Sequence, residues 1–453
     1  MLFSSIEFIF VFLPLSLTAY FLAPQKLKNA VLLLFSLIFY AWGEPKYILL
    51  MVATIIADWG FGLLIERYPK RAKLWLVTAV ASNLAVLGAF KYLSPTLGFF
   101  GIDAVTLALP IGISFYTFQS LSYVADIYRG GKAQKSIVNF GAYVTMFPQL
   151  VAGPIVKYGD VAKKLERRSI GFGKAYRGVT RFVCGLAKKL LLANGAGAVW
   201  SYFSELPANE LSTLGAWTGI IFFTFQIYFD FSGYSDMAIG LGRLFGFDFP
   251  ENFNYPYTAK SIRDFWHRWH ISLTAWFREY LYIPLGGNRK GAKRTLFNML
   301  AVWVLTGLWH GAGLNFLLWG FYYFLLLAGE RYLWGKALKK LPSLACRVYS
   351  IFFIIVGWAF FALPPASGIF SYLAKMFSLS APSNAEVYQL VRNLPFLILL
   401  CLGSTPFPRL AYGKIGKTQA RRLLLSFGGT LVFILCVANL VGASYNPFLY
   451  FKF

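Results

Sequence analysis

The stretch Lys46-Tyr-Ile-Leu-Leu-Met-Val-Ala-Thr-Ile-Ile-Ala-Asp-Trp-Gly-Phe-Gly-Leu-Leu-Ile65 decides the fold class of this chain. It is almost continuously apolar, and Asp58 is the only acidic residue inside it. A helix that crosses the hydrocarbon core of a bilayer needs about 20 such residues. The stretch therefore predicts a membrane-spanning helix.

Apolar runs of this kind recur from one end of the chain to the other. We predict candidate spanning segments over 6–23, 30–43, 46–65, 74–92, 105–125, 137–155, 177–200, 212–232, 297–311, 314–330, 349–365, 391–404 and 424–442. Some are too short to span or contain Gly and Pro, which is tolerated where the backbone is buried in protein or lines a wet cavity. We therefore expect an all-α, polytopic integral membrane protein with about 10–12 transmembrane helices. Re-entrant and interfacial amphipathic helices would surround a central channel, and residues 1–453 would form a single membrane-embedded domain.

The composition agrees with a membrane protein. Only 13% of the 453 residues are charged and 58% are hydrophobic, whereas soluble domains are about 25% charged. The 43 Lys and Arg residues outnumber the 18 Asp and Glu residues, and they concentrate in short loops, which marks cytoplasmic loops. We therefore expect membrane lipids and a polyphosphorylated substrate as partners for this charge, and no nucleic acid.

The alternation of charged and uncharged loops predicts the orientation. The loops at 67–73 and 157–174 are basic, whereas those around 43–45 and 94–103 are nearly free of charge. This pattern places the N-terminus outside and the basic loops in the cytoplasm. The segment Met1–Leu22 lacks the basic start and cleavage site of a signal peptide, so it is expected to be the first retained helix.

The segment 233–296 departs from the pattern because it is rich in charged and aromatic residues and has no long apolar run. Trp and Tyr favour the membrane interface, where one end of the ring is hydrated. We predict amphipathic helices half-embedded on the cytoplasmic side. They precede the apolar run that ends in Leu308-Trp-His-Gly311.

Three histidines, His267, His270 and His310, are the candidates for acid–base chemistry. His310 lies at the end of an apolar run, and an ionisable residue inside a membrane segment indicates function by default. The alternative is a neutral imidazole that hydrogen-bonds a carbonyl between helices.

His267 and His270 are three residues apart and would share one face of a helix. A metal site there would need further ligands, and the chain has neither clustered cysteines nor an H-E-x-x-H pattern. We therefore predict no metal. Packing beside Trp266 and Trp269 is the alternative for His267, and a second active-site role is the alternative for His270.

The sequence contains no phosphate-binding loop and no G-x-S-x-G nucleophile motif. Asp230 and Asp236 could neutralise Arg243 or Arg263, or they could take part in the site. Without a recognisable serine or cysteine nucleophile, direct attack assisted by a histidine base is the simplest chemistry.

Several longer motifs carry a family resemblance. They are Ser114–Gln119, Phe147–Pro154, Phe225–Asp236, Pro250–Pro256, Trp269–Leu273, Tyr282–Arg289, Gly307–Gly311 and Tyr445–Phe448. Through them the chain resembles the membrane-bound O-acyltransferase family. Within that family it is similar to the bacterial branch of alginate and peptidoglycan O-acetyltransferase membrane subunits.

The resemblance implies roles for particular residues. The essential histidine of the family corresponds to His310 and its second histidine to His270. Position 267 is expected to be Arg in this branch, so His267 argues against an essential role there. The candidate substrate-binding residues are Asp230, Asp236, Asn254, Trp309, Arg263 and Arg289.

The resemblance also implies an activity in the bacterial cytoplasmic (inner) membrane. Acetyl groups would pass from a cytoplasmic thioester, acetyl-CoA as donor substrate with no separate cofactor, to an exported polysaccharide such as alginate or peptidoglycan. An exported esterase-like acetyltransferase would be the partner. The alternatives are D-alanyl transfer to teichoic acid from a carrier protein, and a transporter or scaffold for polysaccharide export.

Overall fold

The computed structural model describes residues 1–102, 108–151, 153–207, 209–363, 367–414, 419–442 and residue 449. Helices account for most of these residues, and no β-strand occurs among them. The predicted all-α fold class is therefore confirmed.

The chain forms two compact units. Unit 1 comprises Met1–Gly185 and Tyr234–Glu251, and unit 2 comprises Leu186–Gly233 and Asn252–Phe453. Two of the three boundaries between the units fall inside long helices, and the third lies in the loop between Glu251 and Asn252. The prediction of a single domain over the whole chain stays a prediction.

Seven helices of at least eight residues lie wholly in the described part of unit 1. They are α1 (Phe8–Leu22), α2 (Lys28–Gly43), α3 (Ile48–Arg67), α4 (Pro69–Gly98), α5 (Ile113–Tyr128), α6 (Ile137–Thr145) and α7 (Tyr158–Glu166). Asn83 of α4 donates from Nδ2 to Oδ1 of Asp58 on α3, at 2.7 Å. A Cβ atom on Gly62 of α3 would lie 2.6 Å from the Tyr123 ring of α5. A polar contact and a small residue thus allow these apolar helices to pack closely.

Two long helices pass from one unit into the other, α8 (Phe172–Ser204) and α9 (Thr213–Leu244). Within unit 1, a Cβ atom on Gly240 of α9 would lie 2.6 Å from the carbonyl oxygen of Gly178 of α8. The two backbones can approach this closely because both positions are glycine.

The described part of unit 2 contains nine further α-helices besides the four-residue helix Gly335–Leu338. They are α10 (Ile262–Trp266), α11 (Ile271–Phe277), α12 (Gly291–His310), α13 (Leu314–Tyr332), α14 (Ser343–Ala362), α15 (Ser367–Met376), α16 (Asn384–Gly403), α17 (Phe407–Lys414) and α18 (Gln419–Gly442). Helix α16 begins with a capping box, in which Ser383 and Glu386 each bond the other's backbone N–H.

Six helices in the described part of the chain are long and apolar enough to cross a bilayer, namely α3, α4, α8, α9, α14 and α16. The shorter helices α1 and α2 and the stretch Ser426–Gly442 are also apolar. The protein is therefore a multi-pass membrane protein, as the sequence predicted.

Two predicted segments differ from the structure. The run 137–155 is not one helix, because α6 ends at Thr145 and only the short helix Phe147–Leu150 follows it. Proline at positions 148 and 154 explains the break, since proline cannot continue a helical hydrogen-bond ladder. The run 105–125 is helical over Ile113–Tyr128, and its residues 105–107 lie outside the described residues.

The polar segment also begins later than predicted. Helix α9 continues to Leu244, whereas the apolar run was predicted to end at residue 232. The charge of Asp236 does not end the helix because Arg181 on α8 neutralises it, with 2.6 Å between Nη2 and Oδ1. Residues 233–244 are thus helical and largely buried within the protein.

Candidate active site

Close packing of α12 against α13 positions His310. A Cβ atom on Gly307 would clash with the carbonyl oxygen of Phe316, and one on Gly320 would clash with the carbonyl oxygen of Trp303. Small residues at such positions allow helices in membranes to approach closely. His310, the last residue of α12, is thereby held beside the start of α13.

The His310 side chain is enclosed by aromatic rings and is 5% exposed. Its ring centroid lies 4.9 Å from that of Trp309, 5.1 Å from that of Trp319 and 5.2 Å from that of Phe361. The imidazole therefore sits in a poorly hydrated environment, where electrostatic interactions are stronger than in water.

His270 is buried as well, and its protonation state follows from its contacts. Its Nδ1 lies 3.2 Å from Oδ1 of Asn252, which also accepts from the Ser272 backbone N–H at 3.2 Å and the Ser272 hydroxyl at 2.8 Å. A backbone N–H can only donate, so the Asn252 atom must be the oxygen. Nδ1 of His270 therefore carries the proton, and Nε2 of the neutral ring presents a lone pair.

Burial of His270 reinforces the neutral state. The side chain is 1% exposed, and this burial lowers the pKa of His270 to about 3. So weak a base is a poor proton acceptor near neutral pH. Its Nε2 is suited to accepting a hydrogen bond.

The indole of Trp309 contacts both histidines. Its ring centroid is 6.4 Å from that of His270 and 4.9 Å from that of His310. The Phe231 ring, on α9, packs edge-on against His270, with 4.7 Å between the ring centroids. The structure thus brings together His270, His310 and Trp309, three residues that the sequence had singled out.

A large cavity in unit 2 is bordered by α12, the helix that carries His310. Its volume is about 1030 Å³, and its wall includes Thr306, one helical turn before His310 on α12. The Lys and Arg residues that line it are Lys260, Arg263, Arg278, Arg331, Lys336 and Lys339, and His267 lines it as well. Glu330 is the acidic lining residue among the described residues, so the cavity favours an anionic ligand.

Glu330 also holds one side of that cavity in place. Its carboxylate accepts from the backbone N–H groups of Ile262 at 2.6 Å and Arg263 at 3.0 Å, at the start of α10. These amides are unsatisfied within a helix, and a negative charge there is favourable. Glu330 therefore positions the predicted substrate-binding residue Arg263 at the cavity wall.

The two aspartates pair with different cations. Asp236 belongs to unit 1, where it pairs with Arg181, whereas Asp230 belongs to unit 2, where its Oδ1 lies 2.7 Å from Nζ of Lys189. The sequence had suggested Arg243 or Arg263 as the neutralising cations, whereas in the structure the paired cations are Arg181 and Lys189. Sequence proximity was misleading because the partners come from α8.

Asn254 and Arg289 are both exposed. The Asn254 carbonyl accepts from Nη1 of Arg268 at 3.4 Å, and Arg289 lies in the turn before α12, outside the cavity lining.

His267 is separated from His270 by the end of a helix. Helix α10 ends at Trp266, and His267 is exposed with its Nδ1 2.6 Å from the Arg263 carbonyl oxygen. The prediction that the two histidines share a helix face is wrong, because the chain turns to the left-handed φ of 45° at His270. Within the described residues, no three His, Cys, Asp or Glu side chains come together as a metal site.

Asn252 is the residue of the site that sequence reasoning missed. It belongs to the Pro250–Pro256 motif, in which Asn254 was chosen instead. Residues two apart in an extended chain point to the same side, but the chain bends at Asn254, so the two asparagines differ in burial. Asn252 is fully buried and Asn254 is exposed. The signal was present in the motif, but the sequence alone did not indicate which asparagine faces inward.

A polytopic helical protein with two buried histidines beside a basic cavity has the architecture of a membrane-embedded group-transfer enzyme. The model of MBOAT, the membrane-bound O-acyltransferase family, matches residues 132–370. Over its full length the chain is 37% identical to the full length of a Pseudomonas putida protein named probable alginate O-acetylase AlgI. The chain therefore belongs to the membrane-bound O-acyltransferase family and is an O-acyltransferase.

Two other relatives show the breadth of the family. A Helicobacter pylori peptidoglycan O-acetyltransferase is 33% identical over 84% of this chain and 81% of its own length. A more distant teichoic acid D-alanyltransferase from Bacillus subtilis is 29% identical over 56% of this chain and 69% of its own length.

Proposed function

We propose that this O-acyltransferase transfers acetyl groups from a cytoplasmic thioester, acetyl-CoA, for O-acetylation of an exported polysaccharide such as alginate or peptidoglycan. The names of the alginate and peptidoglycan relatives support the acetyl group and the acceptor class. The observation that carries the proposal is the position of His310, buried one turn beyond the wall of a basic cavity.

The basic cavity is suited to the donor. Its Lys and Arg side chains could bind the phosphates of CoA, and Arg pairs with phosphate through two parallel hydrogen bonds. Ligand cavities commonly measure about 300–1,000 Å³, so the cavity has room for a cofactor-sized molecule. The pantetheine arm would extend along α12 past Thr306 towards His310.

His310 is proposed as the general base. It would remove the proton of an acceptor hydroxyl while the oxygen attacks the thioester carbonyl carbon. The new C–O bond forms, the C–S bond breaks, and the proton passes from His310 to the departing thiolate of CoA. General base catalysis contributes roughly 10²–10⁴-fold to such a rate. His270, held neutral by Asn252, would accept a hydrogen bond and orient the reacting groups.

Turnover by the purified protein tests this assignment. Wild type should release CoA from acetyl-CoA in the presence of an alcohol, and His310→Ala should reduce that rate by at least about 10²-fold. Folding should survive, which size-exclusion chromatography in detergent measures. His310→Gln retains hydrogen bonding without a basic nitrogen, so near-normal turnover by this variant would contradict the base assignment.

The direction of transfer depends on the proposed topology in a bacterial inner membrane. The N-terminus would lie outside, and the loops 67–73 and 157–174 would face the cytoplasm. Single cysteines in these loops, in a background without the native cysteines, should resist a membrane-impermeant thiol reagent added outside. Labelling of both loops would reverse the donor side. In the proposed orientation, an exported esterase-like partner would carry the acetyl group to the polysaccharide.

The Bacillus subtilis relative supports a second candidate, D-alanyl transfer to teichoic acid from a carrier protein. The two candidates differ in donor. Release of CoA from acetyl-CoA, with no transfer from a D-alanyl carrier protein, is expected for the acetyltransferase. The reverse result would favour the D-alanyl reaction.

A further inference from the structure

A second, smaller cavity lies between α8 and α9 within unit 2. Its volume is about 220 Å³. It is bordered by the ion pair of Lys189 and Asp230, whose side chains are each 3% exposed. Asp230 also accepts from the backbone N–H of Leu449 at 2.8 Å. The lining residues are Lys189, Ala193, Asn194, Gly197, Ala198, Ser201, Gln226 and Asp230.

The lining is polar but carries no net charge. Lys189 and Asp230 neutralise each other, and the other polar groups are two amides and a hydroxyl. Amides and hydroxyls both donate and accept hydrogen bonds. A free ion would gain little there, whereas a neutral hydroxyl group could both donate and accept.

Small residues on α8 create the space. A Cβ atom on Gly197 would lie 2.5 Å from Nε2 of Gln226, so any larger residue would push this amide out of place. Ala193 and Ala198 leave the rest of the α8 wall free of bulk. The space between the two apolar helices therefore results from the small residues on α8.

The position of the cavity relates it to the reaction. Lys189 and Asp230 lie near the middle of two helices long enough to span the bilayer. The other polar lining residues lie towards the ends Ser204 and Thr213, which the proposed topology places outside. Phe231, directly after Asp230, packs against His270.

We infer that this cavity binds the acceptor, as a neutral alcohol group. The inference rests on the proposed function and adds the acceptor subsite to it. A sugar hydroxyl and a hydroxyl of a protein side chain share this chemistry. Gln226 and the Gly197 gap are the features that define its size and hydrogen bonding.

Acetyl transfer to two soluble alcohols, methyl glucoside and N-acetylserinamide, tests the inference. Gln226→Leu removes the amide at nearly constant volume, and Gly197→Leu fills the gap. Each should raise the KM for an alcohol by about tenfold, equivalent to about 1.4 kcal/mol, while the Kd for CoA, measured by calorimetry, stays unchanged. Val179→Leu, on the exposed surface of α8, is the matched control.

The outcomes separate the inference from the proposed function. A higher KM for methyl glucoside alone assigns a sugar acceptor, and a higher KM for N-acetylserinamide alone assigns a protein hydroxyl. Both results support the subsite. An unchanged KM for both alcohols in well-folded Gln226→Leu overturns the inference. Wild-type protein that neither binds CoA nor acetylates any alcohol would instead contradict the proposed function.

Discussion

The buried, neutral His270 predicts a specific loss of stability in acid. Its folded-state pKa is lowered from 6.5 to about 3 because the ring is buried. Below pH 6.5 the unfolded chain therefore binds a proton at this position that the folded protein does not. Stability is complete above that pH and is lost as the pH falls from 6.5 towards 3.

The magnitude follows from the same two values. One proton of difference changes the free energy of unfolding by about 1.4 kcal/mol per pH unit. Between pH 6.5 and pH 5, His270 should thus remove about 2 kcal/mol of stability. That loss is a large part of the stability of a typical domain.

Replacing His270 with Gln isolates this contribution. Glutamine does not titrate, so the variant should lose stability between pH 7 and pH 5 by about 2 kcal/mol less than wild type. Any constant amount by which a glutamine at the positive φ of this position lowers the unfolding free energy cancels when the pH dependence of the unfolding free energy is compared between the two proteins. Urea unfolding in detergent micelles, followed by tryptophan fluorescence at each pH, measures the difference. Equal pH dependence of wild type and His270→Gln would refute a buried neutral His270, and His267→Gln is the exposed control.

Three further predictions use other features of the structure. His267→Arg should retain most of the acetyl transfer, since the side chain is exposed; total loss with normal folding would restore an essential role. Asp58→Asn should change the unfolding free energy by less than about 1 kcal/mol. Asp58 contacts Asn83 and forms no ion pair in the described residues, so a charge at this position would be uncompensated, and the neutral amide of Asn can replace the carboxyl group at little cost. Gly320→Ala should cost about 1–3 kcal/mol in thermal unfolding because α12 and α13 would be forced apart, whereas Gly60→Ala, with open space around it, should not destabilise the protein.

Much of the fold could be predicted from the sequence because a membrane-spanning helix is recognisable by its length and its high hydropathy. The helix α14, predicted over 349–365, is observed at Ser343–Ala362. The extension of α9 beyond Gly233 could not be predicted in this way. It depends on Arg181 of α8 neutralising Asp236, and a contact between distant parts of the chain leaves no local pattern.

The site was predicted unevenly for a similar reason. His310 and His270 were identified through their motifs, and both are buried beside Trp309. The partner of Asp230 was missed because Lys189 looks like an ordinary flanking base next to Lys188 in the sequence. Only the packing of α8 against α9 in unit 2 shows that Lys189 is buried and Lys188 is not.

His270 and His310 differ chemically although both contact the indole ring of Trp309. The Asn252 oxygen accepts three hydrogen bonds and so requires a proton on Nδ1 of His270, while burial lowers the pKa of His270 for a second proton to about 3. A ring in that state can accept a hydrogen bond but takes up a proton poorly near neutral pH. If a histidine acts as the base, the task therefore falls to His310. On this basis Asn252→Leu, which releases the tautomer of His270, should lower kcat without changing the Kd for CoA, whereas His310→Gln should abolish the chemical step itself.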